Sequence, residues 1–420
     1  MGKARKLKKN SYLIKAVLKS KFSIKRNLLQ GFRDRKKYYS KLDTNADIKS
    51  LMYCMLCPNM CRFDCPAVQA SKNESHSPAM KAKIGYLLEM GKLEKTNENI
   101  NPIIEGCVHC SACKEWCFFD FAVGDLLDGV IEDLYLQERL PENVLEFSNR
   151  IRNNNGLYDL EHLKKSTKEL ETFSKGEIYY FPGCVTMGNN TNVITAIKKI
   201  ALITNTEIIS KPLERWCCGA PSIYSGDVEK AKGLAYHNLE HFRSLGIKMI
   251  ICECPECAYM LKEGYKKIGF DHKIPVYHLS EWIYQLVENK KIKLLNAENS
   301  KLLENSFPIS YHDPCVLARK MNVIDAPYKL LEKMFPNEFK ENLYSKKLTH
   351  CCGFGGLVNI VNSKLANTIS INRLEEFDKE GIKTIVTGCP TCWYSFMKNN
   401  KDLKFEIIDI VELIANFVKK

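Results

Sequence analysis

The chain has 420 residues, of which 45% are apolar and 26% are charged, and it carries 19 cysteines and a net charge of +13. This is the composition of a globular protein long enough for two or three hydrophobic cores. No run approaches about 18 uncharged apolar residues, which excludes a membrane-spanning helix. The sequence begins without a signal peptide and its cysteines cluster in Cys-x-x-Cys motifs, so we expect metal sites in a cytoplasmic protein rather than a secreted disulfide framework.

The positive charge is concentrated in a basic N-terminal arm, residues 1–42. Residues 1–41 hold 15 Lys or Arg residues against one acidic residue, Asp34, whereas the rest of the chain has 47 basic and 48 acidic residues. Four apolar residues fall near one helical face: Leu13, Val17, Ile24 and Leu28. The arm is a candidate for peripheral contact with the inner face of a membrane or for docking on an acidic subunit, and a solvated tail is the alternative. We expect no nucleic-acid partner, because interleaved aromatics and a recognisable RNA-binding module are missing.

Eight cysteines follow the arm in two runs of four. The second run is typical of a ferredoxin, in which three closely spaced thiolates bind a cubane [4Fe-4S] cluster and the fourth crosses to the other cluster. A zinc site is the alternative for such runs. The ferredoxin rule predicts two ligand sets: Cys54, Cys57, Cys61 and Cys117 for one cubane, and Cys65, Cys107, Cys110 and Cys113 for the other.

Two departures from the ferredoxin pattern bear on this exchange of ligands. Three residues separate Cys57 from Cys61, and Phe118 stands where proline usually follows the last cysteine. A Pro-Asn turn between Cys57 and Cys61 absorbs the additional residue. Residues 78–95 have the apolar spacing of a helix, so we predict a helical ferredoxin-like domain with two [4Fe-4S] clusters over residues 43–125.

Residues 126–174 are polar and helical in pattern, and we interpret them as a connector. Beyond them, short β-rich runs alternate with helical ones, which predicts two parallel α/β units and an α+β/α/β multidomain fold for the whole chain. The units are expected over residues 175–295 and 305–420. Their strands are expected at 178–181, 207–209, 249–251, 309–311 and 384–386, and the helices of the first unit at 193–204 and 227–244.

Each α/β unit carries the same five cysteines, with a period of 131 to 135 residues between equivalent positions. A vicinal pair suits a polynuclear iron site better than a single tetrahedral metal. Several of these cysteines follow the carboxyl ends of predicted strands, where open parallel sheets bind ligands. Two units that share an edge would bring both sets face to face: Cys184, Cys217, Cys218, Cys254 and Cys257 in the first, and Cys315, Cys351, Cys352, Cys389 and Cys392 in the second.

This pattern resembles the cysteine-rich CCG domain family. The family occurs in the B and D subunits of heterodisulfide reductase and in iron-sulfur subunits of glycolate, lactate and glycerol-3-phosphate oxidoreductases, and the resemblance covers residues 50–420. Both terminal Cys-x-x-Cys motifs are complete, which favours the D subunit of heterodisulfide reductase. The resemblance implies that the ten cysteines are catalytic and hold one or two further, non-cubane [4Fe-4S] clusters, with zinc in one unit as an alternative. One departure is Val316, where the family often has histidine.

The resemblance also implies a function and partners. The expected protein is an iron-sulfur oxidoreductase that passes electrons through two cubanes to a CCG site, where a small thiol-derived disulfide is reduced. The alternative is an electron-transfer subunit of a flavin-dependent 2-hydroxyacid (glycolate or lactate) or glycerol-3-phosphate dehydrogenase. Its redox partner would be a flavoprotein, a ferredoxin or a membrane cytochrome or quinone-type protein. No glycine-rich nucleotide fingerprint follows a strand, so any flavin or pyridine nucleotide is expected on another subunit.

A few single residues permit two interpretations each. His312 and Asp313 are candidates to deliver a proton to a thiolate, or form a turn that positions Cys315. Arg319 is a candidate to bind an anionic substrate, or forms a surface ion pair. Cys252 is expected to be a packing residue rather than a ligand.

Overall fold

The computed structural model describes residues 15–34, 44–93, 100–159, 161, 173–211, 213–214, 216–298, 300, 303, 306–401 and 405–420. Within the arm it gives a helix, Phe22–Asp34, and Val17, Ile24 and Leu28 are exposed. Leu13 lies outside the described residues. No helix in the described part of the chain combines the length and the hydropathy needed to cross a membrane.

The cysteine runs of the first domain lie on helices and on the loops that join them. Asp47 caps the first of these helices by accepting a hydrogen bond from the Ser50 backbone N–H at 3.0 Å. Proline occupies the first turn of several others, where its missing N–H costs nothing. The helices are Ile48–Met55, Met60–Asp64 (3₁₀), Pro66–Ser71, Glu74–His76 (3₁₀), Pro78–Glu89, Asn101–Ile104, Ala112–Glu115 and Val123–Leu136.

The helix Val123–Leu136 crosses the boundary expected between residues 125 and 126. Its apolar face, with Leu127 and Val130 fully buried, packs against Leu51 and Leu88 and completes the core of the helical domain. Burying side chains of this size stabilises a fold by about 1.5–3 kcal/mol each. The physical division of the chain therefore follows this helix.

The helix that follows in the expected connector is also part of the folded body. This helix, Glu142–Asn154, buries Phe147 in the core of the first α/β unit. Arg152 in the same helix donates to Asp227 of that unit at 2.6 Å. Asn143 donates to the backbone carbonyl of Ile360, in the second unit, at 2.9 Å. The helix therefore contacts the helical domain and both α/β units, rather than merely linking two of these parts.

The first α/β unit contains a four-stranded parallel sheet in the order β2-β1-β3-β4. The strands are β1 (Ile178–Tyr180), β2 (Ile208–Ile209), β3 (Met249–Cys252) and β4 (Val276–His278), with Ile178 paired to Ile208 and to Met249. The helices between and after them are Cys184–Asn189, Asn192–Thr204, Ala220–Tyr224, Val228–Ser244, Pro255–Tyr259, Tyr265–Lys267 and Leu279–Glu288, with a π-helical turn at Met260–Gly264.

The second unit contains a three-stranded parallel sheet. After the short strand β5 (Lys293–Leu294), its strands β6 (Ile309–His312), β7 (Thr384–Thr387) and β8 (Glu406–Asp409) lie in that order, with Ile309 opposite Thr384. The predicted strands of both units therefore exist within a residue of their expected bounds. The helices are Asp325–Met334, Lys346–Leu348 (3₁₀), Val358–Val361, Ser363–Lys379, Pro390–Asn399 and Ile410–Asn416, with a π-helical turn at Val316–Lys320.

The two units share one hydrophobic core. Ile194 and Ile283 of the first unit pack in the same cluster as Ile410 and Ile414 of the second. Strand β5 pairs antiparallel with the final strand, β9 (Val418–Lys419), so the end of each unit is hydrogen-bonded to the other. Burial in a common core fixes the relative position of the two sheets.

A buried histidine holds the two sheets together close to their carboxyl ends. His278 Nε2 donates to the carbonyl oxygens of Glu253 at 2.9 Å and Gly388 at 2.8 Å, one from each unit. Its Nδ1 accepts from the Ser280 backbone N–H at 3.2 Å, which fixes the tautomer. Gly388 permits this approach, because a Cβ there would lie 3.0 Å from the histidine ring.

Candidate functional site

The carboxyl ends of both sheets face one cavity of about 420 Å³. The loops that follow β1, β3, β6 and β7 carry cysteines to its wall, as the position of these residues after strands predicted. All 19 cysteines lie within the described residues, and none of them forms a disulfide. All ten cysteines of the repeat line this single space: Cys184, Cys217, Cys218, Cys254, Cys257, Cys315, Cys351, Cys352, Cys389 and Cys392.

The five thiols of the first unit lie close enough to interact directly. Cys217 and Cys257 donate hydrogen bonds to Cys218, and these lower the pKa of Cys218 to about 6 despite its burial. Cys184 in turn hydrogen-bonds Cys217, and Cys254 hydrogen-bonds Cys257. A thiol with a lowered pKa is a thiolate at neutral pH, the form that binds metals.

The second unit repeats this arrangement. Cys351 and Cys392 donate hydrogen bonds to Cys352 and lower its pKa well below the ordinary value. Cys315 hydrogen-bonds Cys351, and Cys389 hydrogen-bonds Cys392. The internal repeat is thus reproduced in the contacts between side chains as well as in the sequence.

The glycine after each vicinal pair has a backbone conformation that side chains rarely adopt. Gly219 has φ +95° and Gly353 has φ +89°. Glycine populates this region without a steric penalty, whereas an L-residue is strained there. The two cysteines of each pair are thus presented to the cavity from one tight turn.

The ferredoxin-type cysteines lie in two neighbouring groups. Burial raises the pKa of Cys54 to about 12, and the nearby charges of Cys61, Cys117 and Cys57 add to the effect. A second, smaller cavity of about 30 Å³ is lined by the other four thiols of the predicted exchange: Cys65, Cys107, Cys110 and Cys113. Cys61 also lies near Cys65 and Cys113, so the division of the eight ligands between two cubanes stays a prediction.

A buried lysine accompanies the second group. Lys81 is 2% exposed and donates to the carbonyl oxygen of Gly106 at 3.0 Å. Burial raises the pKa of Cys65 and Cys107, and the Lys81 ammonium opposes that rise. The positive charge therefore favours negative charge on this group of thiols.

The helical domain meets the second α/β unit at a cysteine of each. A hydrogen-bonding contact with Cys351 is the main cause that lowers the pKa of Cys110 to about 6. Beside this contact, a Cβ on Gly356 would overlap the carbonyl oxygen of Cys107, and one on Gly355 would overlap that of Val108. The glycines after the vicinal pair thus leave space for the loop of residues 107–110 in the helical domain, called here the ferredoxin-type loop.

Arg319 also links the helical domain to the second α/β unit, through hydrogen bonds to backbone on both sides. Its guanidinium donates to the carbonyl oxygens of Cys110 at 3.0 Å and Lys347 at 2.8 Å, and also to that of Thr349. The side chain is buried and does not line the cavity. Neither sequence interpretation of Arg319 was right, since it forms no surface ion pair within the described residues and its donors are committed to backbone.

One wall of the cavity comes from the segment interpreted as a connector. Phe147, Leu157 and Tyr158 line the space together with Arg150. Tyr158 packs on Gly188, where a Cβ would lie 2.5 Å from the phenol carbon Cζ, and its hydroxyl accepts from Asn189 at 3.0 Å. Sequence reasoning missed these residues, although a stripe of buried residues at helical spacing was visible: Val144, Phe147 and Ile151.

Three further candidate residues have structural roles rather than positions in the cavity wall. Asp313 is buried and accepts from the Tyr328 hydroxyl at 2.8 Å and the Lys346 backbone N–H at 2.7 Å. Neither Asp313 nor the buried His312 lines the cavity, so the turn that positions Cys315 is the supported interpretation. Cys252 lies within β3 and packs in the core, away from the cavity wall.

Comparison with known families agrees with this arrangement. The cysteine-rich CCG domain matches residues 178–262 and 309–397, and the 4Fe-4S dicluster domain matches residues 50–121. The chain is therefore an iron-sulfur protein that joins a dicluster domain to a pair of CCG domains. The family predicted from the cysteine spacing is confirmed.

Relatives place the chain among iron-sulfur oxidoreductase subunits. It is 25% identical over 353 residues to the D subunit of the dihydromethanophenazine:CoB–CoM heterodisulfide reductase of Methanosarcina barkeri, covering 81% of this chain and 83% of that one. It is 24% identical over 355 residues to the B subunit of the fumarate reductase (CoM/CoB) of Methanothermobacter marburgensis, covering 84% and 68%. It is also 24% identical over 421 residues to the probable glycolate oxidase iron-sulfur subunit of Bacillus subtilis, covering 86% and 91%.

The observed thiol groups fit iron-sulfur clusters. Eight neighbouring thiols provide the number that two cubanes need, and all lie in the segment that matches the dicluster domain. The cavity supplies five thiols from each CCG unit, linked in a series of pairwise contacts. Thiolate-only donor sets of this size are typical of iron-sulfur or zinc chemistry.

Proposed function

We propose that this chain is the catalytic iron-sulfur subunit of an oxidoreductase that reduces a small thiol-derived disulfide. Cysteines 54, 57, 61 and 117 would hold one cubane, and cysteines 65, 107, 110 and 113 a second. The ten cysteines at the cavity would hold one or two further, non-cubane clusters. Bound there, the clusters would supply one-electron transfer in the helical domain and a redox-active, sulfur-binding centre at the cavity.

One observation carries the proposal: ten thiols from two equivalent units line one space. Reductive cleavage of an S–S bond consumes two electrons and two protons and releases two thiols. Two matched sets of thiols facing one cavity are suited to a substrate whose two sulfur atoms must be handled together. The second set also touches the helical domain through the contact of Cys351 with Cys110, which supports electron delivery at this point.

The remaining residues of the cavity shape the binding space. Phe147, Leu157 and Phe354 give it apolar walls, and such walls exclude water and strengthen electrostatic interactions inside. The exposed Arg150 lies at its solvent-facing edge, which gives substrate and products a route. The electrons would come from a separate redox protein, in keeping with relatives that are named as subunits.

The first test is the metal content of protein purified without oxygen. We expect about sixteen irons per chain when both CCG units hold a cluster and about twelve when one does, four for each cluster, with matching acid-labile sulfide. Cys218→Ala and Cys352→Ala should each lose about four irons. Cys252→Ala is the matched control, because this buried thiol does not line the cavity, and it should keep the full count.

The second test is turnover. Wild-type protein supplied with a reduced viologen dye should release two thiols per disulfide, whereas Cys218→Ala and Cys352→Ala should be inactive. A fully loaded protein that turns over no disulfide would refute the assignment. Iron content near eight per chain would also count against it, because the cavity would then lack clusters.

The alternative is an electron-transfer subunit of a flavin-dependent 2-hydroxyacid or glycerol-3-phosphate dehydrogenase. The similarity to a probable glycolate oxidase iron-sulfur subunit, over 86% of this chain, favours it. Co-purification with a flavoprotein, and reduction of the clusters by glycolate, lactate or glycerol 3-phosphate, would support this function. The complete Cys-x-x-Cys motifs at the cavity favour the disulfide reductase instead.

A further inference from the structure

The solvent-facing edge of the ten-cysteine cavity carries a cation without a counter-ion. Arg150 lines the cavity and is exposed. Within the part of the chain that the structure describes, its guanidinium forms no ion pair and no side-chain hydrogen bond. Its neighbour Arg152, by contrast, is paired with Asp227.

The position of Arg150 on its helix directs it to the cavity. Residues three or four apart share a helix face, so Asn143, Phe147 and Arg150 form one stripe. Asn143 bonds the Ile360 carbonyl in the second α/β unit, and Phe147 forms part of the cavity wall. Arg150 is the next member of that stripe, beyond the apolar wall.

No carboxylate among the described residues of the cavity lining pairs with Arg150. Glu256 is the one carboxylate among the described residues of the lining, and Tyr224 donates to it at 2.6 Å. Asn359 and Thr391 also line the cavity, and their side chains make no hydrogen bond within the described residues. The lining is therefore mostly thiol and apolar, and Arg150 is the one positively charged side chain among its described residues.

We propose that Arg150 binds an anionic group of the substrate, so that the disulfide carries a carboxylate or phosphate several bonds away from its sulfur atoms. This inference rests on the proposed function and deepens it by naming the substrate class. It also replaces Arg319, the arginine that sequence alone offered for this role, since Arg319 is committed to backbone carbonyls. Planar guanidinium groups are suited to paired hydrogen bonds with such anions.

Binding, measured apart from turnover, tests the proposal. We would titrate anaerobically purified protein by calorimetry with 3,3′-dithiodipropionate and with its neutral analogue, bis(3-hydroxypropyl) disulfide. Wild type should bind the dianion more tightly. Arg150→Gln should weaken the dianion at least about tenfold, the scale of one charge-assisted hydrogen bond, and leave the neutral disulfide unchanged.

Two further variants separate charge from fold. Arg150→Lys keeps the charge without the planar fork and should bind with intermediate affinity. Arg243→Gln removes an exposed arginine from a helix that does not line the cavity, and should bind both disulfides as wild type does. Iron content is measured on every variant to verify that the folded site is intact.

The outcomes separate the two proposals. Equal affinity of wild type for the two disulfides, equal loss of both in Arg150→Gln, or no measurable binding of either would overturn the anion subsite. Charge-dependent binding without turnover would support the subsite and contradict the disulfide reductase. Turnover of the dianion with the same KM in wild type and Arg150→Gln would overturn the subsite alone.

Discussion

The close fit between the ferredoxin-type loop and the second α/β unit makes Gly356→Ala a sensitive perturbation. Gly356 has φ +59°, and a Cβ there would overlap the Cys107 carbonyl oxygen and lie 2.6 Å from His109 Cδ2. Gly246 provides the matched control, because it has a similar φ of +65° and open space around the position of a Cβ.

The expected magnitudes follow from the two environments. Gly246→Ala introduces only backbone strain, which costs about 1–2 kcal/mol. Gly356→Ala carries the same strain plus an overlap with backbone that cannot rotate away, and overpacking adds about 1–3 kcal/mol. The free energy of unfolding should therefore fall by about 2–5 kcal/mol in Gly356→Ala.

Urea unfolding of both anaerobically purified variants measures this difference. If relief of the clash separates the two domains, Gly356→Ala should also slow the reduction of the cavity site by electrons supplied to the helical domain, as followed by stopped-flow absorbance. Gly246→Ala should reduce it at the wild-type rate. Equal stability losses in the two variants, with equal reduction rates, would refute the close fit on which the reasoning depends.

Two further predictions concern buried ionisable side chains, Lys81 and Asp409. Lys81→Met should lower the midpoint potential of the adjacent cluster by roughly 90 mV, since a unit charge on the order of 8 Å away contributes about 2 kcal/mol at an effective dielectric constant of about 20. Exposed Lys83→Met on the same helix is the control, and equal potentials in a spectroelectrochemical titration would contradict the prediction. Burial raises the pKa of Asp409 to about 8. The folded state thus retains a proton that the unfolded carboxyl releases near pH 4, so this contribution to stability is complete below about pH 4 and is lost by about pH 8. Urea unfolding of Asp409→Asn across this range should show a shallower pH dependence than wild type, and parallel profiles would exclude the protonated carboxyl.

The strands and the cysteines of the cavity could be predicted from the sequence, because both depend on short local patterns. Strand positions followed from short apolar runs. The ten cysteines of the cavity were predictable because strand ends of a parallel sheet meet at one edge. The boundary was expected inside the helix Val123–Leu136 because the residues on which this helix packs, Leu51 and Leu88 among them, lie far earlier in the chain.

Other features depend on tertiary contacts that no local pattern encodes. Arg319 could not be assigned from sequence, because its three carbonyl partners come from two separate loops. The cavity wall formed by Phe147 and Tyr158 was interpreted as a linker, since polar residues dominate that segment. Its apolar stripe had the right period for a buried helix, but nothing in the sequence indicated which surface it covers.

The two CCG units are equivalent in chemistry but not in placement, and the sequence difference that separates them is small. Both keep the glycine that turns the chain after the vicinal pair, Gly219 and Gly353, with nearly equal φ. The first unit continues with Ala220 and enters a helix, whereas the second continues with Phe354 and two more glycines.

Those extra glycines are the positions where a Cβ would overlap the ferredoxin-type loop. The loss of two side chains therefore allows the second unit to bring Cys351 into contact with Cys110. The first unit has no such glycines, and its five thiols contact one another and the shared cavity. The duplicated fold thus places the vicinal cysteines of the second unit in contact with Cys110 of the helical domain, whereas those of the first unit contact only thiols of their own unit and the shared cavity.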